Sequence, residues 1–347
     1  MKKSLIALAV LASTGAMAQS SVTLYGIVDV ALQSAKVTGA PRLNTVASGN
    51  VNGSRFGLKG SEDLGGGLKA LFVLENGFSV DTGASGGGAG LNGITNTKAA
   101  TAIFGRQAYV GLAGGFGEFR IGNVKTAYDD TAINSDTVFD SNYAPAYSVW
   151  ANGAGYNAAP GNSVYYTSPS FGGVTVTGSY ALGENKTATT NAKGLGAVNV
   201  QYTGGPIYAS LAYQEDKTSA PGVGTTPTGS YKDTLANFSY DLGVVKLLSS
   251  YNRHVDTSNT KSDQFQLGAD VPVGAALTLS GGYAYSKDKP ANGVAGDKRD
   301  GFGIGAKYAL SKRTFVYTGA TYYETKPAGG GSKVKGDIYA VGIQHSF

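Results

Sequence analysis

Apolar and polar positions alternate along much of the chain, most clearly near its start. One face of residues 22–32 is mainly aliphatic: Val22, Leu24, Gly26, Val28, Val30 and Leu32. The other face holds Thr23, Tyr25, Ile27, Asp29 and Ala31. A period of two indicates a β-strand whose two faces meet different environments. The pattern suits either a soluble sandwich with an apolar core or an outer-membrane barrel with a lipid face and a polar lumen.

Strand-like segments of this kind continue to the end of the chain. We predict them at residues 54–61, 67–78, 102–112, 117–124, 163–168, 173–182, 195–203, 206–215, 232–241, 244–254, 262–271, 276–286, 300–309, 314–324 and 335–347. With the first they make about sixteen, an even number of roughly ten-residue segments, as transmembrane barrels require. Short glycine-containing turns alternate with long loops, which a soluble sandwich has no reason to do. The sequence therefore predicts an all-β fold, an antiparallel transmembrane β-barrel of about sixteen strands with both ends on the periplasmic side.

The last segment supports closure of that barrel. Tyr339, Val341, Ile343, His345 and Phe347 share its apolar face, and the chain stops on the aromatic side chain. Because lipid tolerates no open sheet edge, we expect this strand to pair with the first one. The terminal Phe347 is accordingly the candidate signal for barrel assembly.

Residues 1–18 are predicted to be a signal peptide. Two lysines precede an apolar run at residues 5–11, and a small-x-small cleavage site ends at Ala18. The run is too short to span a bilayer. We therefore expect residues 19–347 to form a single barrel domain in the outer membrane.

Composition narrows the class of protein further. Glycine contributes 53 of 347 residues, and 22 tyrosines and 13 phenylalanines suit short strands, tight turns and aromatic belts. Cysteine is absent, so disulfides and thiolate metal sites are excluded. The formal charge of +5 falls by two once the signal peptide is removed, and no polybasic block occurs. A nucleic-acid partner therefore has little support.

The longest connection, residues 125–161, is the strongest candidate for a working part. It holds the only tryptophan, Trp150, and a single basic residue, Lys125. Its four carboxylates are Asp129, Asp130, Asp136 and Asp140. Loops of this length without regular structure are uncommon in compact domains and usually functional. We expect this loop to fold into the lumen and narrow a water-filled channel.

Several stretches along the chain resemble the general porins of Gram-negative β-proteobacteria, as does the terminal phenylalanine. They are residues 21–26 (SVTLYG), 54–65 (SRFGLKGSEDLG), 105–112 (GRQAYVGL), 162–166 (NSVYY) and 168–171 (SPSF). The resemblance implies a homotrimeric diffusion channel for ions and small hydrophilic solutes, without a cofactor, in contact with outer-membrane lipid and lipopolysaccharide. It also implies that the third external loop enters the lumen and that basic residues at the eyelet favour anions.

Two arginines fall on motif positions where the family places lumen-facing arginines, Arg55 and Arg106. Alternation agrees for Arg55, and it also turns Arg120 toward the lumen, although no motif assigns Arg120. Asn123 and Tyr165 stand where many relatives carry arginine. The arginine row is thus incomplete, and we expect only a modest anion preference.

Cations on the wall that face carboxylates on an inserted loop produce a transverse field across a narrow aqueous gap. Rows of charged side chains set ion preference in pores, and low-dielectric walls focus the field. The predicted constriction comprises Arg55, Arg106, Arg120, Asp129, Asp130, Asp136 and Asp140. The alternative for each of them is an ordinary solvated charge in the lumen or in a loop.

Signs of other functions are weak. Residues 88–93 spell a dinucleotide-binding pattern without the strand-to-helix context that it needs. A barrel lipase or protease needs a base beside its nucleophile. The two histidines, His254 near the external rim and His345 on the lipid side, are far apart, so we predict no enzyme, no catalytic residue and no metal site. A solute-specific sugar or anion channel, an adhesin-like barrel and an oxygen-ligated surface cation in the acidic loops stay open.

Overall fold

The computed structural model describes residues 21–85, 102–150, 156–183, 186, 188, 192–217 and 229–347. The predicted signal peptide and the pattern at residues 88–93 lie outside these ranges. Within them, nearly all regular structure is β-strand. No helix among the described residues is long and apolar enough to cross a membrane.

Seventeen strands follow one another in chain order. They are β1 Ser21–Val37, β2 Leu43–Ser48, β3 Arg55–Gly65, β4 Leu68–Gly77, β5 Gln107–Gly114, β6 Gly117–Asn123, β7 Ser163–Thr167, β8 Val174–Ala181, β9 Leu195–Gly204, β10 Ile207–Asp216, β11 Tyr231–Asp241, β12 Lys246–Val255, β13 Lys261–Val273, β14 Leu277–Lys289, β15 Lys298–Ala309, β16 Thr314–Lys326 and β17 Val334–Ser346. The described helical segments are short: Asp129–Ala132, Val138–Asp140 (3-10), Pro145–Val149 and Ala328–Gly330 (3-10).

The sheet closes on itself, as the sequence predicts. From β3 onward every strand pairs antiparallel with the next, and β17 pairs with β1 from Ile27 opposite Ser346 to Val37 opposite Gly336. The backbone of Phe347 completes the seam through two hydrogen bonds of 3.1 Å with Gly26. Closure satisfies the backbone N–H and C=O groups that lipid cannot.

The barrel has sixteen wall strands, because β2 and β3 lie end to end along β1. Residues 30–35 of β1 pair with β2, and residues 21–27 pair with β3. The predicted segments 22–32 and 54–61 leave residues 33–53 as a loop, but β1 continues through Val37 and β2 lies within that range. The apolar alternation fades there because the external ends of the strands extend beyond the lipid, so the sequence pattern no longer marks them.

The predicted start of the fourth segment, at residue 102, is also wrong. Strand β5 begins only at Gln107. The side-chain amide of Asn123 donates to the carbonyl oxygens of Phe104 and Gly105 at 3.2 Å each, so these groups are bound by a side chain and not by a strand ladder. Arg106 therefore lies just outside the strand, where alternation does not predict which way its side chain points.

The buried apolar core lies inside the barrel, between the wall and the described loop residues 125–150 and 156–161. Outward-facing aliphatic side chains are exposed, as on a lipid-facing surface: Leu32 is 64% and Ile304 is 61% exposed. The buried clusters join loop residues to lumen-facing wall residues. Val138, Tyr143 and Ala144 pack with Ala31, Val51, Tyr317 and Ala340; Ala127 and Tyr128 pack with Ala181, Leu195, Ala197, Ala212 and Leu235; Ala146 and Val149 pack with Ala284.

Candidate constriction site

The described parts of the predicted loop, residues 125–150 and 156–161, lie within the barrel, as predicted, and are bound along one side of the lumen. Their hydrogen bonds reach successive strands. At Ala127, the N–H donates to Ser179 Oγ (2.9 Å) and the carbonyl oxygen accepts from Asn199 (2.5 Å). Farther along the loop, Tyr128 donates to Asn252 (3.2 Å), the Thr131 carbonyl oxygen accepts from Asn237 (2.6 Å), and the Val138 N–H donates to Ser280 Oγ (3.0 Å). These bonds fix the loop against strands β8 to β14, so the opposite wall borders the remaining opening.

Glycines on the lumenal face of β13–β16 make room for the loop. A Cβ atom at Gly319 would lie 2.2 Å from the Tyr143 ring, and one at Gly282 would lie 2.3 Å from Thr137 Oγ1. Both distances are well below van der Waals contact. Because these positions lack side chains, the loop lies flat on the wall and leaves more of the lumen open.

The part of the loop nearest this wall adopts an unusual backbone conformation. Val138, Phe139 and Asp140 have φ angles of 52°, 65° and 52°. A positive φ is rare for a β-branched residue such as valine and stores strain of order 1–3 kcal/mol. The buried Val138 side chain and the hydrogen bond from Ser141 Oγ to the Val138 carbonyl (2.6 Å) hold this turn.

Two of the predicted arginines meet on the opposite wall around a carboxylate that the sequence analysis did not single out. The Arg106 Nε–H donates to Glu75 Oε1 at 2.8 Å, and Arg55 Nε lies 3.8 Å from Glu75 Oε2. The Tyr25 hydroxyl donates to the same Oε2 at 3.0 Å, and its ring passes over Gly57, which has no side chain to block it. Glu75 thus holds both guanidinium groups at one place on the wall.

The third predicted arginine, Arg120, lies in a separate group. Its Nε–H donates to Glu118 at 2.5 Å, and its guanidinium carbon is 4.6 Å from the centre of the Tyr165 ring. The Tyr165 hydroxyl in turn donates to Asp130 Oδ2 of the loop at 2.7 Å. The chain Arg120–Tyr165–Asp130 therefore connects the wall to the inserted loop, with Tyr165 as its middle member.

The four loop carboxylates divide into two pairs. Asp129 accepts from Lys125 (2.5 Å) and from the Tyr156 hydroxyl (2.6 Å), while burial raises the pKa of its neighbour Asp130 to about 6. Asp136 accepts from the Gln266 amide on β13 and hydrogen-bonds to Asp140, and burial raises the pKa of Asp136. The structure brings Asp130 toward the Arg120 group and packs Asp136 against the wall that holds the loop.

Two lumenal lysines were also missed. The Lys59 ammonium lies 5.2 Å from the centre of the Tyr25 ring, and Lys307 lies between the rings of Phe139 and Phe315, at 4.8 and 5.2 Å. Within the described part of the chain, neither lysine has a carboxylate within 4.0 Å. Strand parity could have found both, since Lys59 follows Arg55 at even spacing.

The two histidines occupy separate environments. His254 Nδ1 lies 2.9 Å from Asp233 Oδ1, and its ring stacks on Tyr231. His345 is exposed on the outer face and hydrogen-bonds to Thr314 Oγ1 at 2.8 Å. Each histidine thus has a local structural partner.

Comparison with known proteins agrees with this architecture. The Gram-negative porin family profile matches residues 4–328. Outer membrane porin protein 32 of Delftia acidovorans is 36% identical over 312 residues, which cover 85% of this chain and 83% of that protein. An anion-selective porin from Comamonas acidovorans superimposes with a TM-score of 0.76 at 28% identity and covers 95% of this chain and 100% of that one. The trimer form of the Vibrio cholerae outer membrane protein OmpT, at 16% identity, shares the fold with a TM-score of 0.67 and covers 94% and 99% of the two chains.

These findings confirm the predicted family, the outer-membrane location and the non-enzymatic function, because the relatives are outer-membrane porins and porins are passive channels. The closed barrel with an inserted loop is the structure such a channel requires. The chain therefore belongs to the Gram-negative porin family.

Proposed function

We propose that this porin is a general diffusion channel for ions and small hydrophilic solutes, with a modest preference for anions. Its constriction lies between the loop at residues 125–161 and the wall that carries Arg55, Arg106 and Arg120. The observation that carries the proposal is the row of hydrogen bonds that fixes the loop inside the lumen. A loop held in this way narrows the path of every solute.

The charges at the proposed constriction support a modest preference for anions. Glu75 offsets part of the charge of Arg55 and Arg106, and Glu118 offsets that of Arg120. Lys59 and Lys307 add positive charge along the lumen. The field at the narrowest point therefore depends on a small excess of cations, opposed by Asp130. The anion selectivity named for the Comamonas acidovorans porin points in the same direction.

The proposal includes assembly and export. Residues 1–18 are removed as a signal peptide, and the mature barrel of residues 19–347 forms a homotrimer in contact with outer-membrane lipid and lipopolysaccharide. The trimer form recorded for OmpT supports the oligomeric state. Crosslinking of the purified porin in mild detergent tests it directly.

The experiment that tests the constriction replaces about twenty central residues of the loop with a short Gly/Ser turn. Single-channel conductance in a planar bilayer should rise, because the narrowest part of the water path is removed. The matched control shortens the external loop at residues 290–297, which makes no part of the proposed constriction. Unchanged conductance in a folded loop variant, or an equal rise in the control, would contradict the proposal.

A further inference from the structure

Two aromatic rings flank one lumenal lysine, Lys307 on β15. Its ammonium nitrogen lies 4.8 Å from the centre of the Phe139 ring on the inserted loop and 5.2 Å from the centre of the Phe315 ring on β16. Among the residues that the structure describes, no carboxylate lies within 4.0 Å of this nitrogen. The faces of aromatic rings attract a cation, more strongly where water is excluded. The two rings are therefore the direct partners of this charge.

One of these rings belongs to the strained turn of the loop. Residues 138–140 have φ angles of 52°, 65° and 52°, so Phe139 lies at the centre of the turn. Residues other than glycine keep such angles only where the surrounding structure holds them. The turn lies against the wall at Gly305 of β15, where a Cβ atom would lie 2.9 Å from Val138 Cγ1 and 3.1 Å from Phe139 Cε2. Contacts with the wall therefore maintain this conformation.

The backbone of the turn and its central side chain have different partners on the wall. The Val138 N–H donates to Ser280 Oγ at 3.0 Å, and Ser280 Oγ donates to Asp270 Oδ1 at 2.5 Å. These bonds hold the backbone at one end of the turn. The Phe139 ring instead meets Lys307 on the neighbouring strand. The lysine is thus the charged wall group that contacts the side chain at the centre of the turn.

We infer that Lys307 is a positioning residue for the constriction. Together with Phe315 it holds the Phe139 ring, and through that ring it keeps the strained turn against the wall. We call the contact of Lys307 with these two rings the lysine clamp. The charge acts on the loop, so its effect on permeation is exerted through the position of the loop. The inference rests on the proposed function, because the position of the loop matters to a solute only if the loop narrows the channel.

A second lumenal lysine supplies a matched control. The Lys59 ammonium on β3 lies 5.2 Å from the centre of the Tyr25 ring, and no carboxylate in the described ranges lies within 4.0 Å of it. Both lysines thus carry the same charge in the same kind of contact. Tyr25 belongs to the wall, whereas Phe139 belongs to the loop. Loss of Lys59 therefore removes a lumenal cation–π pair without affecting the turn.

The test is hydrogen exchange of the loop amides, measured by mass spectrometry on the whole porin in detergent. In Lys307→Met, which keeps an unbranched side chain and loses the cation, exchange in residues 134–142 should quicken about tenfold, between the effects of losing an exposed and a desolvated cation–π pair. Lys307→Arg should keep exchange within about threefold of the unmodified rate, because a guanidinium also binds ring faces. Lys59→Met should leave exchange in this segment unchanged. Exchange within β12 measures global folding in every variant.

A double-mutant cycle identifies the partner ring. Phe139→Leu removes the ring and keeps the lysine, so it should also quicken exchange in residues 134–142. Lys307→Met added to Phe139→Leu should then produce clearly less than its own separate increase, because the contact is already lost. Lys307→Gln, which is uncharged and polar, takes the place of Lys307→Met in these comparisons if the methionine variant does not fold.

Equal exchange of residues 134–142 in Lys307→Met and in the unmodified porin would overturn the inference. Full additivity of the two substitutions would do the same. Exchange in Lys307→Arg as fast as in Lys307→Met would also overturn it, since the charge would then not hold the turn. Unchanged conductance after replacement of the loop would contradict the proposed constriction and would leave these exchange rates as they are, so the two failures are distinguishable.

Discussion

The phenol of Tyr317 on β16 donates a 2.6 Å hydrogen bond to the carboxylate of Asp29 on β1, across the intervening strand β17. Gly342 of β17 makes this reach feasible, because a Cβ atom there would lie 2.4 Å from the tyrosine ring. The bond spans the seam at which the barrel closes. Asp29 is fully buried on the lumenal side.

Asp29 also ties the interrupted second wall strand to the inserted loop. Its carboxylate accepts backbone N–H bonds from Asn50 (3.1 Å), Val51 (3.2 Å) and Asn52 (3.0 Å). The Asn50 carbonyl then accepts the N–H of Asn142, at 2.8 Å, and their side chains are joined at 2.9 Å. The seam, the gap between β2 and β3, and the constriction loop are thus held by one carboxylate.

Replacement of that carboxylate should destabilise the folded barrel. Asp29→Asn removes the charge that four hydrogen bonds share, and we expect the unfolding free energy to fall by about 3 kcal/mol or more, since bonds to charged groups contribute about 1.5–3 kcal/mol each. The companion variant Tyr317→Phe loses one bond and should cost about half as much or less. Denaturant unfolding in detergent measures both. Equal midpoints for Asp29→Asn and the unmodified protein would contradict this role.

A side chain at Gly319 should push the loop into the pore. The new methyl group of Gly319→Ala would overlap the Tyr143 ring, so the ring must move toward the lumen or the loop must lose packing, at a cost of about 1–3 kcal/mol. We expect a lower single-channel conductance. Gly281→Ala is the control, because its Cβ would lie 3.9 Å from the nearest atoms. Equal conductance of the two folded variants would show that the loop does not depend on this glycine.

Neutralisation of the paired arginines should weaken the anion preference. In Arg55→Gln/Arg106→Gln, Glu75 keeps its charge and loses both of its cationic partners. The KCl reversal potential should shift toward cations, and the shift should shrink as salt rises, because screening acts over about 8 Å at physiological ionic strength. Lys69→Gln/Lys312→Gln removes equal charge away from the eyelet and should leave the potential nearly unchanged. A potential indifferent to both double variants would locate the selectivity elsewhere.

The loop carboxylate Asp130 should make the selectivity depend on pH. Its pKa of about 6 lies above the usual 3.8 because of burial, so the group is ionised at pH 7 and mostly neutral at pH 5. As the pH falls through 6, the eyelet loses a negative charge, and the anion-to-cation permeability ratio should rise about twofold to fivefold, as one charge a few ångströms from the path implies. Asp130→Asn should already show the higher ratio at pH 7. Persistence of the full pH step in that variant would assign it to another group.

Removal of the terminal aromatic residue should impair assembly. Phe347 pairs with the Gly26 backbone, and its ring lies over that glycine. Deletion of Phe347 should lower the folded, heat-modifiable fraction in outer membranes, since both the seam bonds and the terminal ring are lost. Phe347→Tyr keeps both and should assemble normally. Wild-type levels of folded protein after deletion would remove Phe347 as an assembly signal.

Much of this barrel can be predicted from sequence because a strand in lipid needs a strict period of two. The outer and lumenal faces of residues 22–32 follow from that period. The pairing of the last strand with the first follows from the cost of an open sheet edge in lipid. Arg55 and Arg120 are assigned to the lumen by the same parity. Beyond the lipid the alternation of apolar and polar residues is lost, so the sequence predicts a loop where β2 lies and a start for β5 that is five residues too early.

The partners of the charged side chains were decided by tertiary structure. Glu75 joins Arg55 and Arg106 only because strands β3 to β5 lie side by side at that register. Alternation along one strand does not specify the register of the neighbouring strand. Nor could the sequence separate Asp130, near the Arg120 group, from Asp136, against β13, since both stand in one loop with the same local chemistry.

The sequence by itself determined that this chain forms a lipid-facing barrel with an inserted loop, because solvent and lipid act on each residue according to its position along a strand. Only the tertiary structure decided where the loop lies and which charges it meets. That placement depends on contacts between distant residues, such as Tyr143 over Gly319 and Tyr165 beside Asp130. Such contacts depend on the shape of the closed barrel, which no local pattern of residues records.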